Sequence, residues 1–381
     1  MNSVYFDNAA TTQIRNEVID RMAEVMKLNY GNPSSTHAYG RQSKSLIEAS
    51  RKEIASFFNV TSSEIIFTSG GTEADNLVIR SAVKDLKVEE VITSKIEHHA
   101  ILHLIDELVI EYNVSVKYVN VDHKGDINIA HLEQLLSSNK KQLVSLMHIN
   151  NEIGNKLDIV KVASLCKTHD ALFHSDTVQS VGHYKLDLSA IPIDFIAASA
   201  HKFHGPKGVG FAYVRKNSGL RASIFGGEQE RGLRAGTEAI HNIVGLNEAL
   251  RLSYQNLDSE RSYIENLKAY FIQQLKTISD EIQFNGQSES IEKSTYTLVN
   301  VCLPIAPEKA QMLQFQLDLK GIACSKGSAC QSGSSQNSHV LTEILDDEYL
   351  QRPSVRFSFS SYNTKEEVDY VIAVLKEFIK A

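Results

Sequence analysis

The sequence is poor in cysteine, and Cys166, Cys302, Cys324 and Cys330 include no CxxC pair. That speaks against a disulfide scaffold and a zinc site and fits a reducing compartment. No stretch approaches the roughly 18 apolar residues of a membrane span. The opening MNSVYFDNAATT has neither the basic nor the apolar region of a secretory signal, so a cytoplasmic protein with no membrane association is expected. An excess of positive charge is also missing. With 39 basic against 46 acidic residues the net charge is -7, which argues against direct nucleic-acid binding as the main activity. Neither GxGxxG nor GxxxxGK[ST] occurs, and there is no repeat, low-complexity tract or long linker.

What remains is 381 residues of ordinary globular composition, 42% hydrophobic and 22% charged, long enough for two or three domains. Short apolar strands are expected at 4–6, 64–69, 91–93, 114–121, 142–149, 171–174, 194–198 and 209–214. Amphipathic helices are expected at 17–28, 41–58 and 159–167. This alternation predicts a largely parallel or mixed sheet with helices on both faces. Polar residues gather where strands stop: Glu97, His98 and His99; Asn150, Asn151 and Glu152; Ser175, Asp176, Thr177 and Gln179. Each cluster alone reads more readily as a capped loop than as a site.

The segment DFIAASAHKFHGPKGVGF, residues 194–211, ends a strand in Ser199, Ala200, His201 and Lys202. A lysine in the crevice beyond strand ends suits an aldehyde cofactor or a phosphate, and the plain alternative is a solvated loop lysine. Residues 64–73 run from strand through Gly70, Gly71 and Thr72 into a helical pattern. Such a start aims backbone amides at an anion, or is simply a capped turn.

The last third reads as a smaller α+β unit. It has a helical stretch at 247–278, strands at 297–303 and 355–359, and a closing helix with a capping box at Thr364 and Glu367. Cys330 sits in SKGSACQSGSSQNS, among six serines and two glycines, which favours a reactive thiol. Cys324 reads as a packed thiol at a strand end; Cys166 and Cys302 read as core.

The strings YFDNAATT, GNPSSTHAYGR, FTSGGTEADN, IEHHA, MHINNEIG, HSDTVQSVG, SAHKFHGPKGVG, GLRAGTE, GSACQSG and SVRFS resemble cysteine desulfurases of the NifS/IscS type. These belong to the class V aminotransferases. The likeness runs from about Val4 to Arg356. It implies an α/β pyridoxal-phosphate-dependent transferase fold, aspartate-aminotransferase-like and of fold type I. The implied division is a large cofactor-binding domain at 15–255 with a mainly parallel mixed sheet, and a smaller α+β domain from 1–14 and 256–381.

The resemblance implies pyridoxal 5'-phosphate held as a Schiff base on Lys202, which then acts as base on the substrate α-proton. Asp176 would keep the pyridine nitrogen protonated, and Gln179 and Asn151 would bond the ring hydroxyl oxygen. His98 would stack on the ring and handle protons as a group titrating near neutrality. Gly71, Thr72, Ser199 and His201 would take the phosphate, joined by Thr237 from the other subunit of a homodimer. Arg356 would grip the substrate carboxylate, with Asn8 over the site. Cys330 would attack the sulfur of L-cysteine, leaving alanine and a persulfide for a sulfur-acceptor protein that serves iron–sulfur cluster assembly or tRNA thiolation. No metal is implied. A C–S β-lyase or selenocysteine lyase on the same fold, and a non-catalytic binding homologue, are the competing readings.

Overall fold

The computed structural model describes residues 3–326 and 338–380. The chain opens with Val4–Tyr5 (β1), Asn16–Leu28 (α1), Ala38–Phe57 (α2), Ile65–Thr68 (β2), Gly71–Leu86 (α3) and Glu90–Thr93 (β3). His99–Tyr112 (α4), Ser115–Tyr118 (β4), Ile129–Leu136 (α5), Gln142–Ser145 (β5) and Ile159–Thr168 (α6) follow. Leu172–Asp176 (β6), Phe195–Ser199 (β7) and Gly210–Val214 (β8) complete the larger sheet.

That sheet has seven strands in the order β2-β8-β7-β6-β5-β3-β4. β8 pairs antiparallel with both β2 and β7, and every other pairing is parallel. Both faces are covered, as the near-continuous apolar strands anticipate. Strand side chains alternate between faces, and the two cores divide accordingly. Ile65, Phe67, Ile92, Val144, Phe173, Ile196, Ala198 and Phe211 meet α1, α2, α5, α6 and α7 (Ile240–Gln255). Ile66, Val91, Leu143, Phe195, Ala197 and Ala212 meet α3 and α4.

After α7 come Leu257–Lys276 (α8), Gln283–Phe284 (β9), Leu298–Cys302 (β10), Pro307–Leu319 (α9) and Ile322–Ala323 (β11). His339–Ile344 (α10), Asp347–Leu350 (α11), Ser354–Ser358 (β12) and Lys365–Lys380 (α12) end the described chain. β12, β10 and β9 form an antiparallel sheet, while β1 pairs in parallel with β11, Val4 opposite Ile322. Val4 and Phe6 thereby join Phe271, Val299, Val301, Leu317, Phe357 and Val371 in a third core. The expected capping box is present: Thr364 N–H donates to Glu367 at 2.9 Å and Glu367 N–H to the Thr364 hydroxyl at 3.2 Å.

Several local expectations change; the strand expected at 142–149, for one, is only Gln142–Ser145. The helical stretch at 247–278 is two helices, broken at Asn256, whose φ of -100° and ψ of 5° leave the helical region. The strand expected at 114–121 keeps only Ser115–Tyr118, because β4 is an edge strand paired on one side. Cys166, Cys302 and Cys324 are buried, as read from their apolar neighbours.

Candidate active site

β2, β3, β5, β6 and β7 point the same way, so the turns that follow them converge at one end of the sheet. There they line an open cleft of about 800 Å³. The structure brings Gly71, Thr72, His98, Asn151, Asp176, Gln179, Ser199, His201, Lys202 and Arg356 to its wall, together with Ala9, Ala10 and Asp75.

Each wall has a local cause. Gly71 and Thr72 open α3, whose first-turn amides have no partner within the helix and whose dipole favours an anion. A Cβ on Gly71 would lie 2.6 Å from a methyl of Val178, so only glycine lets these two turns close up. Ser199 ends β7, and a 3-10 turn over Ala200–Lys202 throws His201 and Lys202 past the strand. Lys202 Nζ donates to the carbonyl oxygens of Ala9 and Ala10 at 2.6 and 2.9 Å. Gln179 Nε2 donates to the same Ala9 carbonyl at 2.9 Å.

Asp176 ends β6 and accepts from Val178 N–H at 2.9 Å. Burial, and then the neighbouring Asp75, push its carboxyl up to about 7. Burial, with help from the Lys202 charge, brings His98 down to about 4, below the near-neutral titration expected of an ordinary imidazole. His98 also caps α4, its Nδ1 accepting from Ala100 N–H at 3.1 Å, which places the ring proton on Nε2. His201 is lowered to about 4 for the same two reasons, and its Nδ1 lies 3.1 Å from the Thr11 hydroxyl.

Arg356, on β12, is only 1% exposed. It donates through Nη1 to the Asn151 carbonyl at 2.7 Å and through Nη2 to Asp7 at 2.9 Å. Its Nε has no hydrogen-bond partner among the described residues.

Two of the other expected residues lie elsewhere. Asn8 does not line this cleft; its side-chain amide donates to the Ser358 carbonyl at 2.9 Å and to Asn363 at 3.1 Å, pinning the N-terminal turn to the end of β12. Thr237 is exposed, in the segment before α7, and is not among the lining residues. Cys330 lies outside the described residues. Sequence reasoning passed over Asp75, which sits inside a helical pattern with nothing local to mark it. Asp7, which tethers Arg356, follows β1 with nothing local to mark a partner on β12.

Whether pyridoxal phosphate suits this cleft is a question of charge and space. A buried carboxyl whose ionised form is disfavoured needs a cation against it, and a protonated ring nitrogen is one. A helix start beside Ser199 and His201 suits a phosphate, and an amine on the cleft wall suits an aldehyde. The donor set therefore fits. Among the described residues no cluster of three or more His, Cys, Asp or Glu could hold a metal, and no helix is long and apolar enough to cross a membrane.

Fold and cleft together define a fold-type-I enzyme of the aminotransferase kind, and the Aminotransferase class-V family model matches residues 4–371. A cysteine desulfurase IscS of Dictyoglomus turgidum is 38% identical over 382 residues, covering 99% of this chain and 94% of the relative. A solved NifS-like protein superposes with a TM-score of 0.90 at 33% identity, with 100% of both chains covered. A structure described as SspA in complex with cysteine has a TM-score of 0.80 at 30% identity, covering 95% of this chain and 100% of the other. The chain belongs to the class V aminotransferase family and, within it, to the cysteine desulfurases of the NifS/IscS type. That family implies pyridoxal phosphate as cofactor.

Proposed function

We propose that this chain removes sulfur from L-cysteine, releasing L-alanine and holding the sulfur as a persulfide on Cys330 for transfer to an acceptor protein. The observation that carries the reading is the convergence of Lys202, Asp176 and Arg356 on one cleft. Pyridoxal phosphate, when bound, supplies an electron sink that eases loss of the substrate α-proton and rupture of its C–S bond.

Lys202 Nζ would anchor the cofactor aldehyde and then take the α-proton. Asp176 would carry the negative charge against the ring nitrogen, while Gln179 and Asn151 bond the ring hydroxyl oxygen. His98 would cover the ring as a neutral imidazole. Gly71 and Thr72, with Ser199 and His201, would hold the phosphate, and Thr237 would reach it from the second copy in a homodimer. Arg356 would orient the substrate carboxylate through a planar fork that lysine lacks. The Cys330 thiolate would attack the substrate sulfur. An S–S bond forms as the C–S bond breaks, and its electron pair leaves with the carbon fragment, which gains a proton to become alanine. Residues 15–255 would form one domain and 1–14 with 256–381 the other, in a cytoplasmic enzyme.

The test is product analysis with L-cysteine and a reductant, following alanine, sulfide and pyruvate for the wild type and Cys330→Ala. Matched alanine and sulfide that disappear in the variant are expected. Pyruvate that persists in Cys330→Ala would mean a β-lyase. A protein that takes up no pyridoxal phosphate would be a binding homologue.

A further inference from the structure

A second carboxyl stands behind Asp176. Asp75 lies one helical turn after Gly71 and so shares the cleft-facing side of α3. It is 1% exposed. Its Oδ1 is 3.3 Å from Nε2 of His174, a fully buried ring, and neither atom has a hydrogen-bond partner with the aspartate taken as ionised, among the described residues. The other ring nitrogen, His174 Nδ1, lies 2.9 Å from the Ser145 hydroxyl. The two-residue period of β6 sets His174 and Asp176 on one face of the sheet, against α3.

We propose that Asp75 carries a proton, shared as a hydrogen bond with Nε2 of a neutral His174, so that Asp176 alone supplies the negative charge for the ring nitrogen. The inference deepens the pyridoxal-phosphate reading and rests on it. Asp75 is here a positioning residue, acting on the cofactor through Asp176.

The surrounding charges support this assignment. The titratable groups around Asp75 are His174 and Asp176 on β6, Glu97 in the turn after β3, and Lys202 with His98 at the cleft. Glu97 is itself fully buried and shifted well upward by burial. Of the cations on this cleft, Lys202 bears on Asp176 and Arg356 is already paired with Asp7, so three ionised carboxyls in this dry space would be far out of balance. Burial pushes both carboxyls upward, but Asp176 has the Val178 N–H and the Lys202 charge to favour its ionised form, whereas nothing offsets burial at Asp75, so the proton of this pair belongs on Asp75. His174 is driven down to about 4 by burial and is neutral. If its Nδ1–H donates to the Ser145 hydroxyl, the Nε2 lone pair is left for Asp75, and one proton satisfies both orphaned atoms.

The experiment reads the tautomer of His174 by nitrogen-15 NMR of the histidine-labelled protein without cofactor, with His174→Gln to assign the signals. A neutral ring protonated on Nδ1 near pH 7 is expected, and Asp75→Asn, whose amide is an uncharged donor of the same shape, should preserve it. Asp75→Asn should also keep its affinity for pyridoxal phosphate within about twofold. An Nε2-protonated ring or an imidazolium in the wild type would overturn the proposal, as would a loss of affinity of about tenfold or more in Asp75→Asn. Should the wild type take up no pyridoxal phosphate, the functional reading fails, and the NMR still decides the state of Asp75.

Discussion

The Lys202 ammonium donates to the Ala9 carbonyl oxygen at 2.6 Å, which ties the proposed anchoring lysine to the N-terminal turn of the chain. The turn is itself fixed: Asp7 accepts from Arg356 at 2.9 Å and from the Ser325 hydroxyl at 2.7 Å. Thr12 adds a clamp, donating to the His201 carbonyl at 2.9 Å and accepting from His204 N–H at 2.7 Å.

Replacing Lys202 by alanine removes both the anchor and the base. Turnover should drop by roughly a hundredfold to ten-thousandfold. Borohydride treatment in the presence of pyridoxal phosphate should add the cofactor's mass to the wild type and leave Lys202→Ala unlabelled. A variant labelled as fully as the wild type would move the anchor to another lysine.

Arg356→Lys keeps the charge and loses the fork that reaches Asn151, Asp7 and the cleft together. KM for L-cysteine should rise by about tenfold to a hundredfold, while affinity for pyridoxal phosphate stays close to that of the wild type. Steady-state kinetics alongside cofactor titration separate the two. Unchanged KM would remove Arg356 from carboxylate recognition.

Acid stability should depend on buried imidazoles. His148 is fully enclosed, and burial holds it down to about 4, against about 6.5 for a free imidazole. Between those values the unfolded chain binds the extra proton. Stability is therefore present above about pH 6.5 and is lost as the pH falls toward 4. In His148→Leu the difference in urea-unfolding free energy between about pH 5 and pH 7.5 should shrink by on the order of 2 kcal/mol. An undiminished difference would assign the acid sensitivity to His98, His174, His201 or His204.

Arg51 and Glu230 form a bidentate pair at 2.5 and 2.9 Å, both side chains almost wholly buried, and Glu230 holds a left-handed backbone at φ 47°. Arg51→Ala should lower stability by about 3–5 kcal/mol, because a buried carboxylate loses its partner. Glu230→Gln added to Arg51→Ala should recover part of that loss. Equilibrium unfolding of the single and double variants measures both.

Much of this was legible locally. Val/Ile-rich runs located the strands, and the polar residues after them marked the end of the sheet where the cleft lies. The capping box at Thr364 and Glu367 located the last helix. What stayed hidden depends on distant partners. His99 was read with the polar cluster after β3, yet it begins α4 because His98 turns its own ring back to cap the helix. Asn8 looked free to meet a substrate, but its amide is taken up by Ser358 and Asn363. The Asp75–His174 contact joins a helix to a strand 99 residues later, and no period in either segment signals it.

The pairing of β1 with β11, and of Asp7 with Arg356 across 349 residues, has a consequence for biosynthesis. As the nascent chain leaves the ribosome, the larger sheet can assemble from its own sequence, while the N-terminal turn waits for a partner not yet translated. The cleft is thus among the last parts to form, and a ribosome stalled before β12 leaves Lys202 without its closed wall.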